Sequence, residues 1–235
     1  LVTVTQAAST VGIDNQVSGE LRVFPNPTKG IFKVQSGKNT EETLEISIMD
    51  NEIKDIIASI DELAKRGSLT RSKAFASWYA INFFNLDEDT ALESAAADGG
   101  NDQGIDIVLA DDSSQEIVIL QAHFPGRLDK ITPKNKWDAL IAAIPFIKDP
   151  TQLEKIGRRD LADNIVSIIS SHPEYTFTYG LISFGLKSEE IRRSLQAHEN
   201  SNKSDGTNYF YLSQEDIKSN YNSLVQAESG IPNDE

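Results

Sequence analysis

The sequence contains no cysteine, and this absence excludes disulfide bonds and zinc sites built on thiolates. Only three histidines are present, and they are scattered along the chain, which argues against a metal centre rich in histidine. No apolar run approaches the ~20 residues that cross a membrane, and the first residues lack the charged and then apolar layout of a secretory signal. We therefore expect no membrane partner.

Positive charge is also scarce. The chain has 22 lysine and arginine residues against 36 aspartate and glutamate residues, which gives a net charge of −14. Such a chain has no global positive field, and this excludes a protein that coats nucleic acid by bulk electrostatics. An enzyme that acts on nucleic acid would need a local basic cluster or a metal ion that bridges to the phosphate.

The composition that remains is that of an ordinary globular protein. The 235 residues are 39% apolar and 25% charged, which suits one large domain or one domain with a small appendage. Rough period-two alternation at 20–26, 30–35 and 43–50 predicts three short strands. The single methionine, Met49, stands where this pattern ends. We therefore divide the chain into a β-rich segment, 1–48, and a main domain, 49–235.

The main domain begins with helical periodicity and continues with alternating strands and helices. Helices are predicted at 50–67, 68–85, 87–97, 134–147, 152–172, 188–199 and 214–227. Strands are predicted at 105–110, 116–124, 175–185 and 207–213, of which the first two form a hairpin. Helices, then a hairpin, then alternating elements indicate an α/β domain with a mixed central sheet flanked by helices.

The hairpin carries polar residues in an apolar setting. If its turn is centred on Ser113 and Ser114, Asp106 lies opposite Gln121, and His123 shares the face of Gln121. Runs of Ile, Val and Leu on both strands predict a sheet covered on both faces. An unpaired carboxylate there would cost several kcal/mol, and a divalent cation would remove that cost.

The hairpin therefore predicts a site for Mg²⁺, or for Mn²⁺ in its place. Magnesium is held by carboxylates, carbonyl oxygens and waters. The Asp106 carboxylate, the Gln121 amide oxygen and the Ala122 backbone carbonyl could form such a shell. The candidates for a further acid, from the preceding helix and loop, are Glu93, Asp98 and Asp102.

The residues alone leave plainer roles open. Asp106 could cap a neighbouring turn or pair with an arginine instead of binding a metal. His123 could be a core or edge histidine with no catalytic part. Spacing by itself does not decide between these roles and the metal site.

A local basic cluster follows the hairpin directly. Residues 127–136 hold four basic residues against one acid, Asp129. The four are Arg127, Lys130, Lys134 and Lys136. This cluster could bind the phosphate backbone of a nucleic acid. The arginine pairs at 158–159 and 192–193 are interpreted as solvated helix faces instead.

The chain resembles restriction-endonuclease-like nucleases of the PD-(D/E)XK type around the hairpin. The resemblance consists of an acidic helix end, the motif D-G-G-x-D-x-G-I-D at 98–106 and two apolar strands, the second of which ends in Q-x-basic. More narrowly, from about residue 49 to its C-terminus the chain resembles the N-terminal domain of the bacterial abortive phage infection family known as AIPR proteins. The resemblance implies a restriction-endonuclease-like core and metal-dependent phosphodiester hydrolysis in phage defence. It assigns the strand aspartate to Asp106, the second-strand acid or glutamine to Gln121, the basic residue to His123 and the helix acid to Glu93, flanked by Asp98 and Asp102.

One position departs from the family pattern, because His123 stands where the pattern has lysine. In the family that lysine would orient the attacking water and offset charge in the transition state. Histidine is shorter and, with an ordinary pKa near ~6.5, is mostly neutral at pH 7. The family's proteins are also longer, so the chain corresponds to the nuclease-like domain without its C-terminal portion.

A second resemblance covers residues 21–48. The stretches LRVFPNPTKGIFKVQ and LEISIMD are similar to the start of the C-terminal sorting domain of type IX secretion cargo. That domain ends secreted proteins, whereas here the partial match precedes another domain. We interpret it as a segment joined at Met49 to a cytoplasmic bacterial domain, with a native β appendage as the alternative. Secretion is expected only if the sorting-like segment is functional.

The sequence thus predicts a Mg²⁺- or Mn²⁺-dependent nuclease whose partner is DNA or RNA and whose activity His123 could weaken. The alternative is a catalytically inactive, nuclease-derived module that binds without cutting. Whether the domain forms a homodimer stays open.

Overall fold

The structure, a computed structural model, describes residues 22–25, 31–35, 44–47, 51–96, 103–201 and 206–229. The chain divides into two compact units, Leu1–Asn51 and Glu52–Glu235. The first unit contains the strands β1 (Arg22–Pro25), β2 (Ile31–Gln35) and β3 (Leu44–Ser47). They pair antiparallel in chain order. The three strands predicted in this segment are confirmed.

The second unit is an α/β domain. Its strands are β4 (Ile107–Asp111), β5 (Glu116–His123), β6 (Thr176–Ser183) and β7 (Asn208–Leu212). Its helices are α1 (Asn51–Gly67), α2 (Arg71–Phe84), α3 (Glu88–Ala96), α4 (Lys134–Lys148), α5 (Thr151–Lys155), α6 (Arg159–Ser171), α7 (Glu189–Ser201) and α8 (Gln214–Ser229). None of the helices in the described residues is long and apolar enough to span a membrane.

The four strands β4 to β7 form one mixed sheet in chain order. β4 runs antiparallel to β5, whereas β5, β6 and β7 are parallel to one another. Helices connect the parallel strands, so the carboxyl ends of all three strands lie at the same end of the sheet. In open α/β sheets, ligands bind outside the carboxyl ends of the strands.

Apolar clusters cover both faces of this sheet. Along β5, Val118 and Leu120 belong to a cluster with residues of α1, α2, α3 and α8. Ile117 and Ile119 belong to a second cluster, with residues of α4, α5, α6 and α7. All four side chains are almost wholly inaccessible to solvent. The predicted mixed sheet, flanked by helices and covered on both faces, is confirmed.

One predicted helix is wrong. Residues 152–172 were expected to form a single helix, but the chain forms α5 and α6 with a break at Gly157. That glycine has a φ of 84°, in the left-handed region that favours glycine. The Arg158 N–H donates to the Leu153 carbonyl at 2.8 Å, which closes α5 before α6 begins.

The loop before the hairpin approaches α4 closely, and a glycine makes this approach feasible. Gly104 has a φ of 79°, and a Cβ built on it would lie 2.9 Å from the backbone carbonyl of Ala139 in α4. Both the left-handed backbone and the close contact exclude larger residues here. Gly104 stands two residues before Asp106, so this contact helps fix the entrance to the hairpin.

Three glycine-to-alanine variants separate the two constraints at Gly104. Gly126→Ala should be nearly neutral, because a Cβ there meets nothing within 4 Å. Gly157→Ala adds only left-handed strain, so it should lower the free energy of unfolding by about 1–2 kcal/mol. Gly104→Ala adds the contact with Ala139 to the same strain and should cost about 1–3 kcal/mol more. Urea unfolding measures all three, and equal losses for Gly104→Ala and Gly157→Ala would contradict the close contact.

Candidate active site at the end of strand β5

The register of the hairpin agrees with the sequence-based expectation. Asp111 pairs with Glu116 and Ile107 pairs with Leu120, so the turn is centred on the two serines. Asp106 itself lies just before β4, not inside the strand that was predicted from residue 105. It nevertheless continues the ladder, since its N–H donates to the Leu120 carbonyl at 2.8 Å.

Hydrogen bonds to Asp111 fix the turn of the hairpin. Its carboxylate accepts from the Ser113 N–H at 2.9 Å, from the Ser113 hydroxyl at 2.6 Å and from the Ser114 hydroxyl at 2.8 Å. Burial by itself would raise the pKa of Asp111, but these hydrogen bonds to the charged form outweigh it and lower the pKa. The turn therefore holds the register that places the polar residues at the other end.

Asp106 is anchored to the backbone of β5. Its side chain is largely buried, with the residue 9% exposed, and Oδ2 accepts the Ala122 N–H at 2.7 Å. The carboxylate takes the place of a ladder carbonyl, and such a charge-assisted bond is stronger than a neutral one. Asp106 therefore has a structural role in holding β5, which differs from the turn cap and the arginine pair that the sequence left open.

Gln121 presents a buried oxygen without a partner. The residue is 5% exposed, and its Oε1 accepts no hydrogen bond from any residue that the structure describes. An acceptor buried in this way costs about 1–3 kcal/mol. Buried polar groups are nearly always satisfied, so this oxygen calls for a physical reason such as a cation.

His123 ends β5 on the same face as Gln121, as expected from the alternation along the strand. The ring is partly buried, and burial is the larger cause that lowers its pKa from the ordinary value. The positive charge of Lys136, near the start of α4, is the second cause. His123 is therefore neutral at pH 7 and can accept a proton there.

The backbone around His123 is held in place from both sides. The His123 carbonyl accepts the Phe184 N–H at 2.9 Å, and the Phe124 N–H donates to the Ser72 hydroxyl at 3.1 Å. The rings of Phe124 and Phe184 stack with centroids 5.1 Å apart. Arg71 lies over the Phe124 ring at 5.3 Å. The strand end is thus rigidly positioned, as a catalytic group requires.

No further acid completes a group of three metal-binding side chains at this site among the described residues. Glu93 is exposed on α3, and no group of three or more His, Asp or Glu residues that could hold a metal occurs within the described ranges. Asp98 and Asp102 lie outside the described residues. Among the described residues, the candidate ligands for a metal ion are therefore Asp106, Gln121 and the Ala122 carbonyl. That carbonyl points to the same side of β5 as the Ala122 N–H, the side on which Asp106 lies.

The basic cluster is weaker than its composition suggests. Arg127 is bound by Asp129 through contacts of 3.1 and 2.7 Å, and these bonds lower the pKa of Asp129. Lys134 forms an ion pair with Asp138 at 2.5 Å. Lys130 is exposed, Lys136 is half-buried, and neither makes an ion pair with a described residue. Lys130 and Lys136 are therefore the better candidates for phosphate contacts.

Sequence reasoning missed a buried hydroxyl pair beside His123. Ser183, fully buried at the end of β6, is the strand neighbour of His123. Its Oγ accepts from the Thr132 hydroxyl at 2.8 Å and from the Gly185 N–H at 3.1 Å. A serine at the carboxyl end of an apolar strand was the available signal. The pair ties the loop before α4 to β6.

A separate groove lies between α4 and α7. It has a volume of about 400 Å³ and is lined by residues of α4 and α7 that include Trp137, Ile141 and His198. It contains none of the site residues predicted from the sequence. The groove is thus a different feature from the end of β5.

Comparison with known proteins identifies no relative of the chain. No protein-family model matches the chain, and searches of curated proteins and of solved structures give no significant match. The argument about function therefore depends on the residues and their geometry.

The proximity of Lys136 to His123 has a measurable consequence. The His123 ring should titrate below ~6.5 by NMR. Lys136→Gln should raise the midpoint, because a repelling charge is removed, but not fully, because burial remains. Lys134→Gln is the control and should change the midpoint less, since Lys134 is paired with Asp138. A wild-type midpoint at or above ~6.5 would contradict the described environment.

Proposed function

We propose that the main domain is a metal-dependent phosphodiesterase that acts on nucleic acid, with a restriction-endonuclease-like core. The observation that carries the proposal is the buried Gln121 oxygen without a partner among the described residues, next along β5 to Ala122, whose N–H the Asp106 carboxylate accepts. A stable core does not retain an unsatisfied amide oxygen without cost. A divalent cation that binds both side chains would remove the cost.

The chemistry of the donor set fits Mg²⁺ or Mn²⁺. Oxygen ligands from one or two carboxylates, an amide and a backbone carbonyl are those that these ions take, with the rest supplied by water and phosphate. Asp106, Gln121 and the Ala122 carbonyl would hold the ion, and Glu93, Asp98 or Asp102 would add an acid. When bound, the ion supplies Lewis-acid activation and charge neutralisation at the phosphate.

His123 and Lys136 would together take the two roles of the lysine in the AIPR pattern, which are to activate water and to offset charge. The neutral His123 ring can accept the proton of the water that attacks phosphorus. The Lys136 side chain acts electrostatically on that ring and can offset charge that develops on the phosphate. Lys130, with Arg127 and Lys134 around it, would contact the phosphate backbone further out.

The biological setting is proposed from the resemblance alone. The domain would belong to a phage-defence protein similar to the AIPR family, in the bacterial cytoplasm. The sorting-like segment, residues 1–48, would then be an appendage or a fused piece without a secretory role.

A second function is favoured by one specific observation. Asp106 already has a structural bond to the Ala122 N–H, and no third acid or histidine joins Asp106 and His123 among the described residues. A nuclease-derived module that binds nucleic acid or protein without cutting would need no more than this. It would bind no divalent ion at Asp106.

The test is a calorimetric titration of Mg²⁺ and Mn²⁺, run beside digestion of plasmid DNA and of single-stranded RNA. Wild type should bind one of the ions and cleave one of the substrates. Asp106→Asn should lower cleavage by at least about 10²-fold, since one metal-bound carboxylate is worth several kcal/mol to the transition state. Glu116→Gln, at the turn end of the same hairpin, is the matched control and should retain activity.

Three outcomes separate the two functions. Ion binding and cleavage that disappear together in Asp106→Asn support the nuclease. Nucleic-acid binding without ion binding or cleavage favours the binding module. Cleavage that survives in Asp106→Asn with wild-type rates contradicts the proposed site.

A further inference from the structure

Two large apolar side chains stand together in solvent beyond the candidate site. Ile131 is 64% exposed, the largest value for a large hydrophobic residue among the described residues, and Leu186 is 41% exposed. The two residues pair in a parallel β-bridge. We call Ile131 and Leu186 the apolar tip. Single exposed apolar residues are ordinary, whereas a paired and exposed set at the ligand edge of a sheet points to an interaction.

The apolar tip has a rigid base. The Thr132 N–H donates to the Leu186 carbonyl at 2.9 Å, and the Leu186 N–H donates to the Lys130 carbonyl at 2.8 Å. The buried hydroxyl pair of Thr132 and Ser183 lies directly below. A Cβ on Gly185 would lie 2.9 Å from the Thr132 Oγ1, so the packing is close. The tip is thus fixed to the strand that pairs with His123.

The charge around the apolar tip is complementary to a polyanion. Lys130 and Lys187 are exposed next to it in sequence, one on each loop. Lys187 reaches Asp216 only at 3.9 Å, whereas the nearby Asp129 and Glu189 are bound by arginines at 2.7 and 2.8 Å. Although the chain has a net charge of −14, Lys130 and Lys187 give the surroundings of the apolar tip local positive charge.

We propose that the apolar tip contacts the bases of a nucleic acid while the flanking lysines bind its phosphates. Apolar side chains can wedge between base steps and partly unstack them, and basic neighbours hold the backbone at that point. The tip would then set where along the strand a phosphate reaches His123. This inference deepens the proposed nuclease function and rests on it for the role of the site. The binding claim by itself does not require cleavage.

The test measures binding and unstacking in EDTA, where no divalent ion supports cleavage. The probes are a duplex DNA labelled with 2-aminopurine and a single-stranded RNA labelled in the same way. Wild type should bind one probe and raise its 2-aminopurine fluorescence, because the labelled base loses its stacking. Ile131→Asn and Leu186→Asn should each weaken binding by about tenfold and suppress the rise. Lys130→Gln should weaken binding but keep the rise at saturation.

The control variants are Val166→Asn and Val225→Asn. These valines are 50% and 44% exposed on α6 and α8, so they match the tip in exposure but not in position. They should leave affinity and fluorescence unchanged, and circular dichroism checks that all variants fold.

The outcomes distinguish this inference from the proposed function. Affinity and fluorescence that are unchanged in both tip variants overturn the inference, even if the protein cleaves nucleic acid. Tip-dependent binding without cleavage under any ion supports the inference and contradicts the nuclease. No binding of either probe overturns the inference, and loss of self-association in the tip variants would then identify a protein contact instead.

Discussion

The antiparallel pairing of β4 with β5 is the constraint on which the rest of the site depends. Its register is set at one end by the Asp111 turn, and it decides which polar side chains meet at the other end. A slip of one residue would turn every side chain of β5 to the opposite face of the sheet. Gln121 and His123 would then both turn away from the face that α4 covers, and Asp106 would lose its bond to the Ala122 N–H. The three hydrogen bonds to the Asp111 carboxylate fix the turn and so oppose such a slip.

The layered architecture gives these polar groups their chemistry. Because helices cover both faces of the sheet, the strand end is buried enough to lower the pKa of His123, and the Gln121 oxygen has no partner among the described residues. The crossover from β5 to β6 brings α4, and with it Lys136, back over the same edge. The loop before α4 carries Ile131 of the apolar tip and is tied to β6 through Thr132 and Ser183. Four polar side chains thus lie near the carboxyl end of β5. They are Asp106, Gln121, His123 and Lys136.

Much of the fold could be predicted from the sequence, for local reasons. Period-two apolar runs indicated the strands, and the centre of the turn was enough to predict the pairing of β4 with β5 from Asp111 and Glu116 to Ile107 and Leu120. The break at Gly157 was missed because Leu153, Leu161 and Ile165 keep helical spacing across it. The left-handed φ of that glycine, with non-helical dihedral angles at Ile156 and Arg158 beside it, separates α5 from α6.

The candidate site was predictable only in part. Strand alternation gave the shared face of Gln121 and His123. The approach of Lys136 to His123 depends on where α4 begins over the sheet, which no local pattern encodes. The bond between Asp106 and the Ala122 N–H arises because Asp106 lies just outside β4, which begins two residues later than the expected strand. The further acids at Asp98 and Asp102 stay predictions.

The most direct measurement is the free energy of unfolding of wild type and Gln121→Leu, each in EDTA and in Mg²⁺. Leucine is similar in size and removes the unsatisfied oxygen. The account predicts that in EDTA the variant is more stable than wild type by about 1 kcal/mol or more. It also predicts that Mg²⁺ stabilises wild type but not the variant, by linkage to the folded state. A variant that is less stable in EDTA and gains as much from Mg²⁺ as wild type would contradict a cation site at Gln121.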